Sequence, residues 1–211
     1  MKKVLGNDHP LTLRTIKNMA SVFRKQGEHN KALEWYQRAL AGIEKVLGDH
    51  HPFTLTTVNN IGVVLVFLKQ GEYSKALEWY QRALDGIEMI FGNDHPTHLR
   101  IQVIDNMASV FYKQGKFNKA LEWYQRALAG MEKVLCTWNH HPSSLTTIDN
   151  MALAFYEQGE FNKALEWHQR ALAGMEKVLW NHHPSTLMTV SSIGAVYRCS
   201  ISGTRRVQQG T

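Results

Sequence analysis

The chain has 211 residues, of which 24 are Lys or Arg and 18 are Asp or Glu, for a formal net charge of +6. With 44% hydrophobic residues, and only 5 Pro and 15 Gly, it is too rich in core-forming side chains to remain disordered. The longest apolar run, Ile61 to Leu68, falls far short of the roughly 20 residues that span a bilayer, and Met1 to Pro10 holds no apolar stretch of signal-peptide type. Neither a membrane nor a secreted protein is expected. Two cysteines, Cys136 and Cys199, make no disulfide framework and lack metal-site spacing, which fits a reducing, cytoplasmic setting.

The predicted elements repeat. From the start, Pro10 to about Gln26 places Leu13, Ile16, Ala20 and Phe23 on one helical stripe, with Pro at a position where a missing N–H costs nothing. Gln26-Gly27 then ends the helix, and a second one carries Ala32, Leu33, Trp35, Tyr36, Ala39, Leu40, Ile43, Val46 and Leu47 on an arc of about 160°. Glu34 and Arg38 stand four apart on its polar side, as do Glu78/Arg82, Glu122/Arg126 and Glu166/Arg170. Lys-Ala-Leu-Glu-Trp begins at Lys31, Lys75, Lys119 and Lys163, 44 residues apart each time. His-Pro falls at His9, His51, His95, His141 and His183, at intervals of 42, 44, 46 and 42. A 42-residue unit with two residues added within Val63 to Lys69, within His98 to Ile104 and within Cys136 to His140 accounts for both spacings. The units are expected at about 5–46, 47–90, 91–134 and 135–178, with a partial one at 179–198 and a non-repeat tail at 199–211. Neither helix of a hairpin can bury its stripe alone, so stacking of four full hairpins plus one extra first helix follows.

The unit Leu47-Gly-Asp-His-His-Pro-Phe-Thr-Leu, Asn60-Ile-Gly, Gln70-Gly-Glu-Tyr, Lys75-Ala-Leu-Glu-Trp-Tyr-Gln-Arg-Ala-Leu, Ile87-Glu resembles the tetratricopeptide repeat, in the 42-residue form of kinesin light chains and many fungal and bacterial multi-repeat proteins. Its small pair falls at Ala20 and Ala32, Gly62 and Ala76, Ala108 and Ala120, and Ala152 and Ala164. The resemblance covers residues 2 to 198 and implies an all-α, right-handed α-solenoid whose concave surface, lined by first helices, binds peptide segments of other proteins. Lys2-Lys3-Val4-Leu5-Gly6 matches Glu44-Lys45-Val46-Leu47-Gly48, and the pattern lapses after Arg198, so the chain reads as a piece of a longer array or a shortened product.

On the first helix, Arg14, Asn18, Ser21 and Lys25 form a polar stripe, and the asparagine recurs at Asn60, Asn106 and Asn150, with Ser192 in the fifth unit. An amide carries both a donor and an acceptor and can pair with the peptide bond of an extended ligand whatever its sequence. In peptide-binding members of the resembled family an asparagine at this position does so. Charge along the stripe is uneven: Arg14, Lys17, Arg24 and Lys25 come early, Asp105 and Lys113 in the third unit, Asp149 and Glu157 in the fourth. The early part is expected to attract an acidic peptide, the late part to be mildly negative.

The remaining features read as structural. Trp35, Trp79, Trp123 and Trp167 are expected to pack between neighbouring hairpins, with Trp138 and Trp180 in inter-unit loops more exposed. The adjacent histidines before each Pro complete no tetrahedral ligand set, so no metal and no cofactor are expected. No phosphate loop, nucleophile elbow or His-Glu-x-x-His is present, and the basic residues interleave with acidic ones apart from Arg205-Arg206, which argues against catalysis and against nucleic acid. The expected function is a non-enzymatic scaffold for a protein or peptide ligand, with Arg14, Lys17, Asn18, Ser21, Lys25, Asn60, Asn106, Lys113 and Asn150 as its binding residues. Two other readings are self-assembly, with apolar ends near Val4/Leu5 and Ile193/Val196 stacking head to tail into a homo-oligomer, and the sensor region of a larger signalling receptor.

Overall fold

The computed structural model describes residues 6, 8–68, 72–93, 95–134, 141–179 and 183–208, the last eight through their backbone alone. Nine helices and no strand occur among them: α1 (Pro10–Lys25), α2 (His29–Leu47), α3 (Pro52–Phe67), α4 (Tyr73–Phe91), α5 (His98–Lys113), α6 (Phe117–Val134), α7 (Pro142–Glu157), α8 (Phe161–Val178) and α9 (Pro184–Gln208). The class is all-α, with four hairpins and one further helix, as the repeat predicts. The chain divides into two compact units, Met1–His95 with α1 to α4 and Pro96–Thr211 with α5 to α9. In each, the two helices of a hairpin pack on one another most extensively, and the second helix of one hairpin packs on the first helix of the next.

The His-Pro pairs start helices by a specific bond. The Nδ1 atoms of His9, His51, His141 and His183 accept from the backbone N–H two residues on, at 3.2, 3.1, 3.3 and 3.2 Å. Each satisfies one of the orphan donors of a first turn. The exception is His95-Pro96: α5 begins two residues later, and the Thr97 hydroxyl accepts from the Arg100 N–H at 3.1 Å instead. The two residues expected within His98 to Ile104 thus lie ahead of the helix. Likewise α3 ends at Phe67 and α4 starts at Tyr73, so the earlier addition lengthens a turn. Because additions fall in turns, α1, α3, α5 and α7 each keep 16 residues and the same register. The addition at 136–140 lies outside the described residues.

First helices end alike. Gly27, Gly115 and Gly159 take φ of 79°, 72° and 77°, and the following residue's N–H returns to Phe23, Phe111 and Phe155 at 2.9 Å in each case. Gly71 lies outside the described residues.

The core of the first hairpin joins Leu13, Ile16, Ala39 and Ile43, flanked by Trp35, Leu47 and Phe53. Its closeness depends on Gly42, where an added Cβ would strike Leu13, as at Gly86 it would strike Leu55. The tryptophans depart from expectation: the ring contacts lie within the hairpin. Phe23 meets Trp35 at 5.6 Å, Phe111 meets Trp123 at 5.9 Å, and Phe155 meets Trp167 at 6.4 Å. The guanidinium three residues on lies 5.7, 5.5, 5.3 and 5.0 Å from the rings of Trp35, Trp79, Trp123 and Trp167. Arg82 pairs with Glu44 of α2 where Glu78 was expected. Trp138 and Trp180 lie outside the described residues. The backbone of α9 runs through Gln208, so the non-repeat tail extends the last helix up to that residue. No helix among the described residues is long and apolar enough to cross a membrane.

Candidate binding site

The first helices place their asparagines at one register, nine positions into each 16-residue helix, because the stripe of Leu13, Ile16 and Ala20 faces the second helix and the asparagine falls off that face. In the first unit Asn18 is exposed and Asn60 half-buried; in the second unit Asn106 and Asn150 are half-buried. Asn18, Asn60 and Asn150 make no side-chain hydrogen bond among the described residues, whereas Asn106 does have a partner.

The other expected binding residues divide by how much the fold uses them. Arg14 and Lys25 are exposed on α1, and Lys113 is exposed on α5. The Lys17 ammonium lies 4.5 Å from the centroid of the Phe53 ring on α3, and burial pushes its pKa down. Ser21 bonds the Tyr36 hydroxyl at 2.7 Å, so it anchors a fully buried tyrosine of α2. Arg24 is half-buried, and its charge acts on Tyr80, whose hydroxyl burial pushes up. The positive character expected early in the chain therefore rests chiefly on Arg14 and Lys25.

Among the residues that carry the late negative charge, Asp149 does not face solvent. The His168 Nδ1–H donates to its Oδ1 at 2.8 Å and the Thr189 hydroxyl donates to the same oxygen at 3.0 Å. His168 stands where Tyr36, Tyr80 and Tyr124 stand in the other hairpins and is fully buried. Glu157 accepts from the Tyr112 hydroxyl at 3.5 Å.

Asp105 is the different case. It occupies the position of Asp149 in the preceding hairpin, and the structure gives its carboxylate one donor, the Thr147 hydroxyl at 2.7 Å. Burial pushes its pKa up to about 6 from 3.8, against the pull of that hydrogen bond. It lies in the wall of a cleft of about 390 Å³ between α5 and α7, with Gln102, Asn106, His141 and Thr146 around it and Ile101 and Met131 as apolar lining. Asn106 stands out in the sequence by its register, whereas Asp105 enters only with the uneven charge along the stripe. The signal available was the residue before each asparagine, which reads Lys17, Asn59, Asp105 and Asp149.

Tetratricopeptide repeat family models match residues 1–45, 14–88, 63–133 and 144–185. The chain belongs to the tetratricopeptide repeat family. Among solved structures it is similar to the nearly identical TPR-like repeats of a kinesin light chain from Podosopora anserina, at 23% identity, 96% of this chain, 92% of that chain and a TM-score of 0.72. A single-substitution variant of that protein superposes with 22% identity over 98% of this chain and 92% of that one, again at 0.72. BtubC (BKLC) from P. vanneervenii gives a TM-score of 0.76 at 20% identity, over 90% of this chain and 73% of that chain. A comparison with the curated proteins finds no match. The arrays it superposes on are kinesin-light-chain-like, which is the repeat type that the sequence resembles.

Proposed function

We propose that the chain is a non-enzymatic interaction scaffold, acting in the cytoplasm, that holds an extended peptide of a partner protein against its first helices. One observation carries the reading: the amides of Asn18, Asn60 and Asn150 make no side-chain hydrogen bond among the described residues, while neighbouring polar groups such as Ser21 and Thr147 are occupied. Tetratricopeptide repeats in general bind protein partners, which supports it. In the first unit Arg14, Lys17 and Lys25 accompany Asn18 and Asn60 and favour acidic side chains, with Ser21 tied to Tyr36; in the second, Asn106 and Asn150 hold the backbone beside Lys113. Selection of phage-displayed random dodecapeptides on the full chain tests this. Selected peptides should lose most of their affinity when all four asparagines are replaced by Ala, and unchanged affinity would overturn the reading.

Self-assembly is favoured by a separate observation on α9. Leu187 stands at the position of Leu13, Leu55 and Leu145, which are 3%, 2% and 1% exposed under the second helix of their hairpins, yet Leu187 is 52% exposed. Val190, Met188 and Tyr197 are exposed with it, whereas Ile193 is half-buried, Val196 is buried, and Val4 and Leu5 lie outside the described residues. Mass by light scattering should then climb above 24.2 kDa with concentration. Leu187→Glu with Val190→Glu should return it to that value, and an assembly indifferent to both substitutions would exclude this face.

A further inference from the structure

We infer that the cleft between α5 and α7 takes a positively charged side chain of a partner, an arginine or a lysine, on the Asp105 carboxylate. The inference rests on the peptide-binding reading above and assigns a side-chain preference to one part of it.

Asp105 and Asp149 occupy one position in successive hairpins. Asp149 receives two donors, one from α8 and one from α9, and both approach the same oxygen. At Asp105 the equivalent of Thr189 is present, since Thr147 donates at 2.7 Å. The equivalent of His168 is not. Tyr124 stands in its place, and its hydroxyl bonds Ser109 at 3.1 Å, a partner that the fourth hairpin lacks because Leu153 occupies that position. A carboxylate offers about four lone-pair sites and, in a shielded place, needs a paired charge or several donors. Among the described residues Asp105 has one neutral donor where its sister has two.

The space beside it fits what is missing. The cleft is about 390 Å³, and its described lining residues include His98 and His141 but no lysine or arginine. Ile101 and Met131 offer apolar contact to the methylene stem of a long basic side chain. Gln102, Asn106 and Thr146 add polar groups at the mouth. A guanidinium can bond a carboxylate through two parallel N–H groups, which makes arginine the better of the two ligands. In the first unit the same position is Lys17, lodged over Phe53, so the two units present opposite charges at one register.

The test uses the isotope-labelled full chain and two blocked tripeptides, acetyl-Gly-Arg-Gly-amide and its citrulline analogue, which has the same shape without the charge. In NMR titrations at pH 7.5 the arginine peptide should shift the backbone amides of Asp105, Asn106 and Thr147 in a saturable way. The citrulline peptide should bind about tenfold or more weakly, and Asp105→Asn, which still accepts from Thr147, should weaken the arginine peptide by a similar factor. Equal binding of the two peptides by the unaltered chain, shifts confined to other residues, no shifts, or an Asp105→Asn chain that binds as well would each overturn the assignment. If the arginine peptide fails while selected dodecapeptides still depend on the asparagines, only this inference falls. If it succeeds while the asparagine variants bind normally, the cleft stands alone and the peptide-backbone reading falls.

Discussion

Asp105→Asn should stabilise the second unit at neutral pH. Burial places the carboxyl pKa at about 6, against 3.8 for an unperturbed carboxylate. The folded value lies above the unfolded one, so the native state binds more protons between roughly pH 4 and pH 6, and stability falls as pH rises through that window. Above it the ionised group costs the fold about 3 kcal/mol, from a shift of about two units at about 1.4 kcal/mol each. The Asn amide keeps the acceptor for Thr147, carries no charge and turns its NH₂ to the cleft, so most of that cost disappears. Urea unfolding of both proteins from pH 3.5 to 8, followed by the fluorescence of Trp123 and Trp167, isolates the Asp105 contribution as a difference. The charged and titratable neighbours His98, His141 and Tyr124 are common to both proteins and largely cancel. The difference should be small below pH 4 and reach its full size above pH 6.5. A difference that does not change with pH, or a variant less stable than its parent above pH 6, would refute the argument.

Three further outcomes follow from the same geometry. His51→Ala removes an N-cap acceptor from α3 and should lower stability by about 1 kcal/mol, with His51→Asn restoring most of it, as read by thermal unfolding. His168→Phe leaves the Asp149 carboxylate with Thr189 alone and should cost on the order of 3 kcal/mol, much less when Asp149→Asn is present too, so a double-mutant cycle should show strong coupling. Affinity for the arginine tripeptide should hold between pH 8 and 7 and decline as pH falls below about 6, where Asp105 takes up its proton, while binding to Asp105→Asn stays flat.

Most of the architecture was legible because the repeat states it several times. Helix type, hairpin pairing and the Gly turns each recur, so one unit's reading is checked by the next. The start of α5 was not, since a two-residue addition beside His95-Pro96 can be absorbed before or inside a helix, and only the competing cap at Thr97 decides. The tryptophan contacts were not legible either, for a related reason: a helical arc gives the direction of a side chain but not which neighbour lies there. The asparagine row could be found from register alone, whereas the isolation of Asp105 could not. That depends on whether the residue nineteen positions later is Tyr124 or His168, and on whether a hydroxyl such as Ser109 draws that residue away.

The position before each asparagine illustrates how a repeat array diversifies without disturbing its fold. The stripe facing the second helix stays apolar, so packing is preserved, and the position beside it tolerates Lys17, Asn59, Asp105 or Asp149 provided some local group compensates. Compensation takes a different form at each described charge: an aromatic face for Lys17, a ring N–H and a hydroxyl for Asp149, one hydroxyl for Asp105. Where compensation is complete, the charge is a structural element and presents little to a ligand. Where it is incomplete, as at Asp105, the shortfall lowers stability in the free protein and is recoverable by a ligand that brings the missing charge. A destabilised carboxylate in a cleft and a binding preference for cations then share one cause, so Asp105→Asn should both stabilise the free chain and lose the arginine probe.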